Sequence, residues 1–559
     1  MATLMGIETE YGVALLGAPP DPFFASQLVI QAYQQLGLPW ATAVSPLASF
    51  DFDRLGDPPG ALETSLMLTN GARLYIDHAH PEYCTPECGS PLALVAADKA
   101  GERILAACQA RINGSGVLPA GCQLRLYKNN SDHKGNSYGC HENYLVPPGL
   151  YEALVAPGSA LLARGLLPFL VTRQIFCGAG KVGSENGTPA AGFQLTQRAD
   201  FFETITGHQT TYNRPIFNLR DEPHADPRQA RRLHVICGDA TMAELSTFLK
   251  VGTAQIVLAM LAAGAIPDNL AFADPVAALR LVSRDLSFAG LLALADGRHM
   301  TARELQLRYL ELAHGYLSRS GGSDEQWEVL QEWEQVLGAL AGDPAGLGRR
   351  LDWAIKRQVL ERYLEARGLT WELVQTWEPA IARTLVAEEP TTADLAAARE
   401  LATGAGLPWG DYELQREAYF ALRRLDLEYH DLRQGEGEER GLYYELERQG
   451  LVERLLYDDD IEHLRTTPPA ETRAWARGHW IARFHEYLLA ADWGGMILAL
   501  PHGKARLVCR LNMLDPLRGS AEDPAVEALT LAALQQQAVA LAGAEPAPSR
   551  TPEHRSEQP

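Results

Sequence analysis

The sequence predicts an α+β fold, and three observations carry the prediction. The first ~240 residues mix short β-like runs with loops, whereas residues 241–455 are dominated by helical periodicity. Three of the early runs also carry polar side chains at every second position, the spacing that lines one face of a strand.

Taken in order, residues 4–13 open the chain as a strand in which Glu8 and Glu10 share a face while Ile7 points the other way. Residues 39–63 hold four prolines between Pro39 and Pro59, alternating acids and little periodicity, and read as a long inserted loop rather than an element. Residues 72–77 form a strand with Arg73, Tyr75 and Asp77 on one face and Leu74 and Ile76 on the other. A helix is expected over 97–111 and strands over 123–127, 141–146 and 170–176, with His141 and Asn143 sharing a face. Thr241 and Glu244 have the spacing of a capping box opening a helix that carries Leu245, Phe248 and Leu249. In LDWAIKRQVLERYLEARG, residues 351–368, the side chains of Trp353, Val359, Leu360 and Tyr363 fall on one broad apolar face. The expected organisation is one large body over 1–455, a small C-terminal domain over 456–520, and a helical extension with a disordered tail over 521–559.

Composition narrows the partners. The net charge of -21, from 70 acids against 49 bases, argues against nucleic acid, whose binding needs clustered Lys and Arg. The opening MATLMGIETEYG carries acids at once instead of a basic and then an apolar region, and no uninterrupted apolar run approaches the roughly 18 residues of a membrane span. A cytoplasmic protein with no membrane partner is expected. Eight cysteines without a CxxC favour reduced thiols. Cys84 and Cys88, with His78 and His80 nearby, admit a zinc site as a minor reading.

If the three polar rows belong to one sheet, they meet on a surface carrying carboxylates, an imidazole, an arginine and a phenol. Hard carboxylate oxygens suit magnesium, which binds through a few protein ligands plus substrate phosphates, so the expected guest is a magnesium nucleotide. Arg198 and Arg220 suit phosphate oxygens, because a guanidinium bonds two at once. Against this stands the plain reading that a Glu-x-Glu is more often the wet face of an antiparallel sheet, and a single His141 a structural histidine. GAGKVG at 178–183 is not a Walker loop, since Lys181 is followed by Val182 and the glycine spacing differs.

The segments GIETEYG, NGARLYIDHAHPEY, KNNSDHKGNSYGCHENYLV, RQIFCGAGKVG, FNLRDEPHAD and RRLHVICGD, in this order, resemble the Pup ligase/deamidase family of the glutamine-synthetase-like superfamily. The likeness continues more thinly through LDWAIK, DLEYHD, RGLYYELERQGLV, PPAETRAWARG and LDPLRG. It implies a glutamine-synthetase-like curved antiparallel β-sheet backed by helices, with a small C-terminal domain. It also implies ATP with Mg2+ held on the sheet, and Pup, a small mostly disordered protein, in an adjoining groove. Carried onto matching positions, the resemblance makes Glu8, Tyr75 and Glu82 magnesium ligands, with His141 and His234 as further candidates. It makes Arg73, Thr85, Asn143, Arg220 and Trp493 nucleotide contacts, sets Arg198 near the phosphates, and makes Asp77 the essential aspartate. DHAHPEY resembles the deamidase/depupylase branch, whereas the ligase branch typically reads DVGSHPEY, and the 39–63 insertion sits where the deamidase branch carries an extra loop. The expected activity is therefore hydrolysis of a side-chain amide: deamidation of Pup's C-terminal glutamine and cleavage of the isopeptide bond in pupylated proteins. The alternatives are a Pup–protein ligase and, in another class, a non-catalytic protein that captures Pup. A monomer is expected.

Overall fold

The computed structural model describes residues 4–43, 65–267, 269–374, 391–404, 409–435, 440–502 and 505–543. Its centre is a seven-stranded sheet built from β1 (Met5–Glu10), β3 (Trp40–Thr42), β4 (Ser65–Leu68), β5 (Arg73–Asp77), β6 (His80–Cys84), β8 (Cys140–Val146) and β9 (Arg231–Val235). The spatial order is β9-β8-β1-β6-β5-β4-β3, and every neighbouring pair is antiparallel. A strand β2 (Gly12–Leu16) and a strand β7 (Gln123–Tyr127) form a separate two-stranded ribbon. The α+β class and the antiparallel sheet are as expected.

Alternation sets the two faces of the sheet. Met5, Ile7, Tyr144, Val146, Leu233 and Val235 point into the largest core cluster, together with side chains of the helices Pro91–Ser115 and Glu244–Ala262. The intervening residues Glu8, Glu10, His141, Asn143, Arg232 and His234 line the opposite face. The helix expected over 97–111 runs longer in both directions. Ser90 accepts a hydrogen bond from the Ala93 N–H, Pro91 occupies the first turn, and Gly116 at φ 73° closes the helix in the left-handed region.

Four sequence expectations are corrected. The run 4–13 is not one strand: it breaks at Tyr11, whose N–H donates to the Pro81 carbonyl at 2.9 Å, and the chain leaves the sheet for the β2–β7 ribbon. Residues 170–176 are helical, in Leu167–Thr172 and Gln174–Cys177, because a run buried on every side has no period to tell strand from helix. Thr241 does not cap the helix Glu244–Ala262; its hydroxyl bonds Thr247 Oγ1 at 2.7 Å. The free N–H groups of Met242 and Ala243 are met instead by the buried Asp352 carboxylate at 2.9 and 3.1 Å, while Glu244 accepts from the N–H groups of Leu455 and Leu456. The insertion begins later than 39, since Trp40–Thr42 is the edge strand of the sheet and Ala41 is buried; the remainder of that expectation, residues 44–63, lies outside the described residues.

The helix Glu244–Ala262 is long and apolar enough to cross a membrane by length and composition, and 89% of that stretch is buried inside the protein. The helix Asp352–Glu365 buries Trp353 and Leu360 as its apolar face requires. In the C-terminal part a three-stranded sheet, β10 (Leu488–Ala491), β11 (Gly495–His502) and β12 (Ala505–Asn512), packs with the helices Arg473–Phe484 and Leu531–Gly543. Their shared core also takes in Ala41, Ala43 and Met67 from the edge of the main sheet. A buried ion network fastens this unit down: Glu87 receives Arg473 Nε at 2.6 Å and Arg477 Nη1 at 3.2 Å, and Arg477 Nη2 also bonds it. Arg477 further donates to the Gly71 carbonyl, and Arg473 to the carbonyls of His224 and Met513. The tail expected to be disordered, residues 544–559, lies outside the described residues.

Candidate active site

Register brings the three predicted rows together. Across the sheet His141 pairs with Glu8, Glu8 with Cys84 and Cys84 with Arg73, so these four side chains form one line on the polar face. The next line runs from Glu10 through Glu82 to Tyr75 and Ser65. His234 pairs with Asn143, and Asp77 ends β5 opposite His80. Glu8, Tyr75, Glu82, Asp77, His141, His234, Arg73 and Asn143 thus share one surface.

Its electrostatics are those of a cation cradle. Burial pushes the Glu82 carboxyl well above the usual range, and the negative charges of Asp77, Glu8 and Glu10 push the same way; the Tyr75 hydroxyl is hydrogen-bonded to it. Burial also opposes ionisation of Glu8, but the His141 hydrogen bond and the Arg232 guanidinium outweigh it and hold its carboxyl well below the usual range. His141 Nδ1 lies 3.5 Å from Glu8 Oε2, and Arg232 Nη1 donates to Glu8 Oε1 at 3.1 Å and to Asn143 Oδ1 at 2.8 Å.

Asn143 fixes a tautomer. Its Nδ2 donates to Glu8 Oε1 at 3.0 Å, which turns its Oδ1 towards His234 Nδ1, 3.0 Å away; Arg232 Nη1 lies 3.3 Å from the same nitrogen, and the shorter contact to the amide oxygen assigns the proton to Nδ1. His234 Nε2 is then a bare lone pair, buried and without a hydrogen-bond partner. Burial and the neighbouring Arg232 keep this imidazole neutral, well below its usual pKa. A neutral imidazole whose second nitrogen is held by a hydrogen bond is the form that binds a metal. The ligand atoms of Glu8, His141 and His234 all lie within 4.8 Å of one another, as do those of Glu10, Asp77 and His78. Crowded carboxylates together with an orphaned imidazole nitrogen therefore fit a divalent cation.

Beside the cradle a cleft is lined by Glu8, Thr85, Asn143, Arg232, Arg473 and Trp493. Thr85 Oγ1 accepts the Ile7 N–H at 3.0 Å, and Trp493 stacks under Arg477, 4.7 Å from guanidinium to ring centroid. The cleft offers an aromatic face, hydroxyl and amide groups and, next door, the cation cradle. Arg73 lies over the Tyr75 ring at 4.0 Å with Nε bonded to Ser65 Oγ at 3.1 Å, and Arg220 is near enough to His234 for its charge to lower that imidazole's pKa.

Arg198 stands apart. It is buried, and Nη1 is committed to the carbonyls of Ile236 and Gly238. Burial lowers its pKa, with the charges of Asp239 and Glu10 opposing, and the buried Arg214 nearby is pushed down to about 9 by burial and by Arg198. Among the described residues neither arginine is ion-paired to a carboxylate, although the charge of Glu10 acts on both. The zinc reading loses its geometry. The Cys84 thiol points at Glu82 and the Cys88 thiol at the Pro86 carbonyl, and among the described residues no cysteine joins a cluster able to hold a metal.

A family profile described as "Pup-ligase protein" matches residues 3–378 and 401–497. The chain is also 40% identical over 540 residues to the depupylase of Acidothermus cellulolyticus, covering 93% of this chain and 95% of the relative. The chain belongs to the Pup-ligase protein family. It is 37% identical over 538 residues to the Pup deamidase/depupylase of Mycolicibacterium smegmatis, again over 93% and 95% of the two chains. Among solved structures of the family, the Pup ligase PafA in complex with Pup superposes with a TM-score of 0.73 at 30% identity, over 97% of this chain and 94% of that one. PafA in complex with ADP gives 0.66 at 32% identity, over 85% and 91%. The glutamine-synthetase-like fold follows from this likeness and from the antiparallel sheet.

Spacing alone does not single out Arg232, which bonds Glu8 and Asn143, and it offers His78 only as a zinc ligand. Arg232 was within reach: in RRLHV it stands two residues before His234, the same spacing that exposed the other rows.

Proposed function

We propose that the chain is a cytoplasmic Pup deamidase/depupylase, an amide hydrolase that uses bound ATP and Mg2+ to convert Pup's C-terminal glutamine to glutamate and to cut the isopeptide bond between Pup and a substrate lysine. One observation carries the proposal: Asp77 ends a strand within the electrostatic reach of Glu82, on the same face that holds Glu8, His141 and His234. The likeness to depupylases, at 40% and 37% identity, extends over 93% of the chain, whereas that to a Pup–protein ligase, at 38%, covers 76% of it, and this difference in extent favours hydrolysis over ligation.

In this reading Glu8, Tyr75 and Glu82, with His141 and His234, hold the magnesium. Arg73, Thr85, Asn143, Arg220 and Trp493 hold the nucleotide, while Arg198, with Nη1 committed to the Ile236 and Gly238 carbonyls, is left out of that set. When bound, the magnesium nucleotide supplies positive charge close to the carbonyl oxygen that becomes an oxyanion. The chain's own residues do the rest. The cleft orients the terminal residue of Pup, and Asp77 presents a carboxylate to the γ-carbonyl carbon, as the attacking nucleophile or as the base for water. In either case water adds across the C–N bond: its oxygen ends on the carbonyl carbon and a proton ends on the departing nitrogen. Both substrates present the same γ-carbonyl amide, so one site serves both.

The test is to incubate the protein, MgATP and Pup ending in glutamine, and to follow Pup by intact mass and ADP by chromatography. Amide-to-acid conversion of Pup without stoichiometric ADP is the expected result. Attachment of Pup to a lysine with one ADP per bond would make the chain a ligase, the reading favoured by the structural match to PafA. Binding of Pup with no covalent change would leave a capture protein. The acidic balance, 70 acids against 49 bases, supports a partner other than nucleic acid, and a monomer is the simplest form in which the site is complete.

A further inference from the structure

We infer that His78 is a positioning residue for Asp77, holding one carboxylate oxygen so that the other meets the reacting carbonyl or its water; this rests on the hydrolase reading above. His78 Nδ1 lies 2.8 Å from Asp77 Oδ2. An ionised carboxylate only accepts, so Nδ1 is the protonated nitrogen and donates. Among the described residues Asp77 Oδ1 accepts no hydrogen bond, so one oxygen is held and one is presented.

The backbone places this contact at a cost. β5 and β6 are joined by only two residues, His78 and Ala79, and both lie in the left-handed region, at φ 44° and 72°. Two-residue hairpins of this kind ordinarily use Asn, Asp or Gly there. Ala79 adopts the conformation at a steric cost, and His78, commoner there than most side chains, adopts it at a smaller one. The turn is also pinned from below, where Ser26 Oγ donates to the Ala79 carbonyl at 2.8 Å from the helix Pro22–Gln34. With side chains 40% and 26% exposed, the His78–Asp77 pair is too wet to repay that strain through stability. Strain held beside a catalytic carboxylate, with no return in stability, is what a positioning role requires.

The donor does not change its protonation through the reaction: water supplies both the oxygen and the proton that reach products, and His78 only holds Oδ2. Two variants of the full chain test this. His78→Gly removes the donor and relieves the backbone strain, so it cannot fail by unfolding the turn. His78→Asn keeps a residue at home with positive φ and an amide that can donate. With Pup ending in glutamine as substrate, His78→Gly is expected to lower kcat about tenfold to a hundredfold while leaving KM for Pup and ADP affinity unchanged, and His78→Asn to recover most of the loss. An active wild type with His78→Gly within about twofold of it, or a loss that His78→Asn does not repair, overturns the role of His78 alone. A wild type that leaves Pup-glutamine intact overturns the hydrolase reading, and this inference with it.

Discussion

Glu8 and His141 face one another across β1 and β8, with Glu8 Oε2 3.5 Å from His141 Nδ1, and the second imidazole, His234, stands edge-on to the first with ring centroids 4.9 Å apart. The ligand atoms of Glu8, His141 and His234 lie within 4.8 Å of one another, close enough to hold one cation, and His234 Nε2 is buried without a hydrogen-bond partner. His234→Ala is expected to weaken Mn2+ binding, followed by electron paramagnetic resonance with Mn2+ as the magnesium probe, by about tenfold to a hundredfold. The fold should survive, because the lost side chain leaves only Asn143 Oδ1 to be satisfied, and Arg232 already bonds it. Undiminished Mn2+ affinity would remove His234 from the ligand set.

Asp77→Asn keeps the size and the turn but removes the charge. Amide cleavage should fall by about a thousandfold or more, with ADP affinity within about twofold of the wild type. Residual cleavage near the wild-type rate would take Asp77 out of the chemistry.

Acid should loosen the C-terminal unit through Glu87. Burial alone would raise its carboxyl, but Arg477 and Arg473 outweigh it and hold it down at about 2, against an ordinary 4.5. Because the folded value lies below the unfolded one, the stabilisation is complete above about pH 4.5 and is lost as pH falls towards 2, amounting to roughly 3 kcal/mol. Glu87→Gln should flatten that stretch of the stability–pH curve. It should also cost about 3–5 kcal/mol at neutral pH, since it leaves two buried guanidinium groups underpaired. Denaturant titrations across this pH range read both effects.

Ala79→Gly should raise stability. An alanine at φ 72° pays roughly 1–2 kcal/mol for the left-handed region, against roughly 0.4–1 kcal/mol that glycine loses to chain entropy, leaving a gain of about 0.5–1 kcal/mol. An increased denaturant midpoint at unchanged slope is the expected reading; a decrease would show that the turn does not hold Ala79 there.

The polar face was legible because strand period and residue type agree at Glu8, Glu10, Arg73, Tyr75, Asp77, His141 and Asn143. What spacing leaves open is register: that Glu8 meets His141 on one side and Cys84 on the other depends on pairing between segments more than 70 residues apart. The same distance hides the true cap of the helix Glu244–Ala262, since Asp352 reaches it from 110 residues downstream and no local pattern announces it. Arg198 suits phosphate by type, yet its carbonyl partners at Ile236 and Gly238 come from a loop that sequence cannot fold against it. Leu170 was misread for the opposite reason: its surroundings are so uniformly apolar that nothing local separates coil geometries.

Glu87 lies two positions after Thr85, and its partners Arg473 and Arg477 sit on the helix that carries Trp493's support. The wall of the cleft and its floor are therefore anchored by the same carboxylate. A fragment cut ahead of Arg473 would keep Glu8, His141 and His234 but lose Arg473 and Trp493 from the lining of the cleft. The C-terminal unit is thus not a detachable module whose removal would isolate the chemistry; the two parts are one machine, to be inherited, expressed and dissected together.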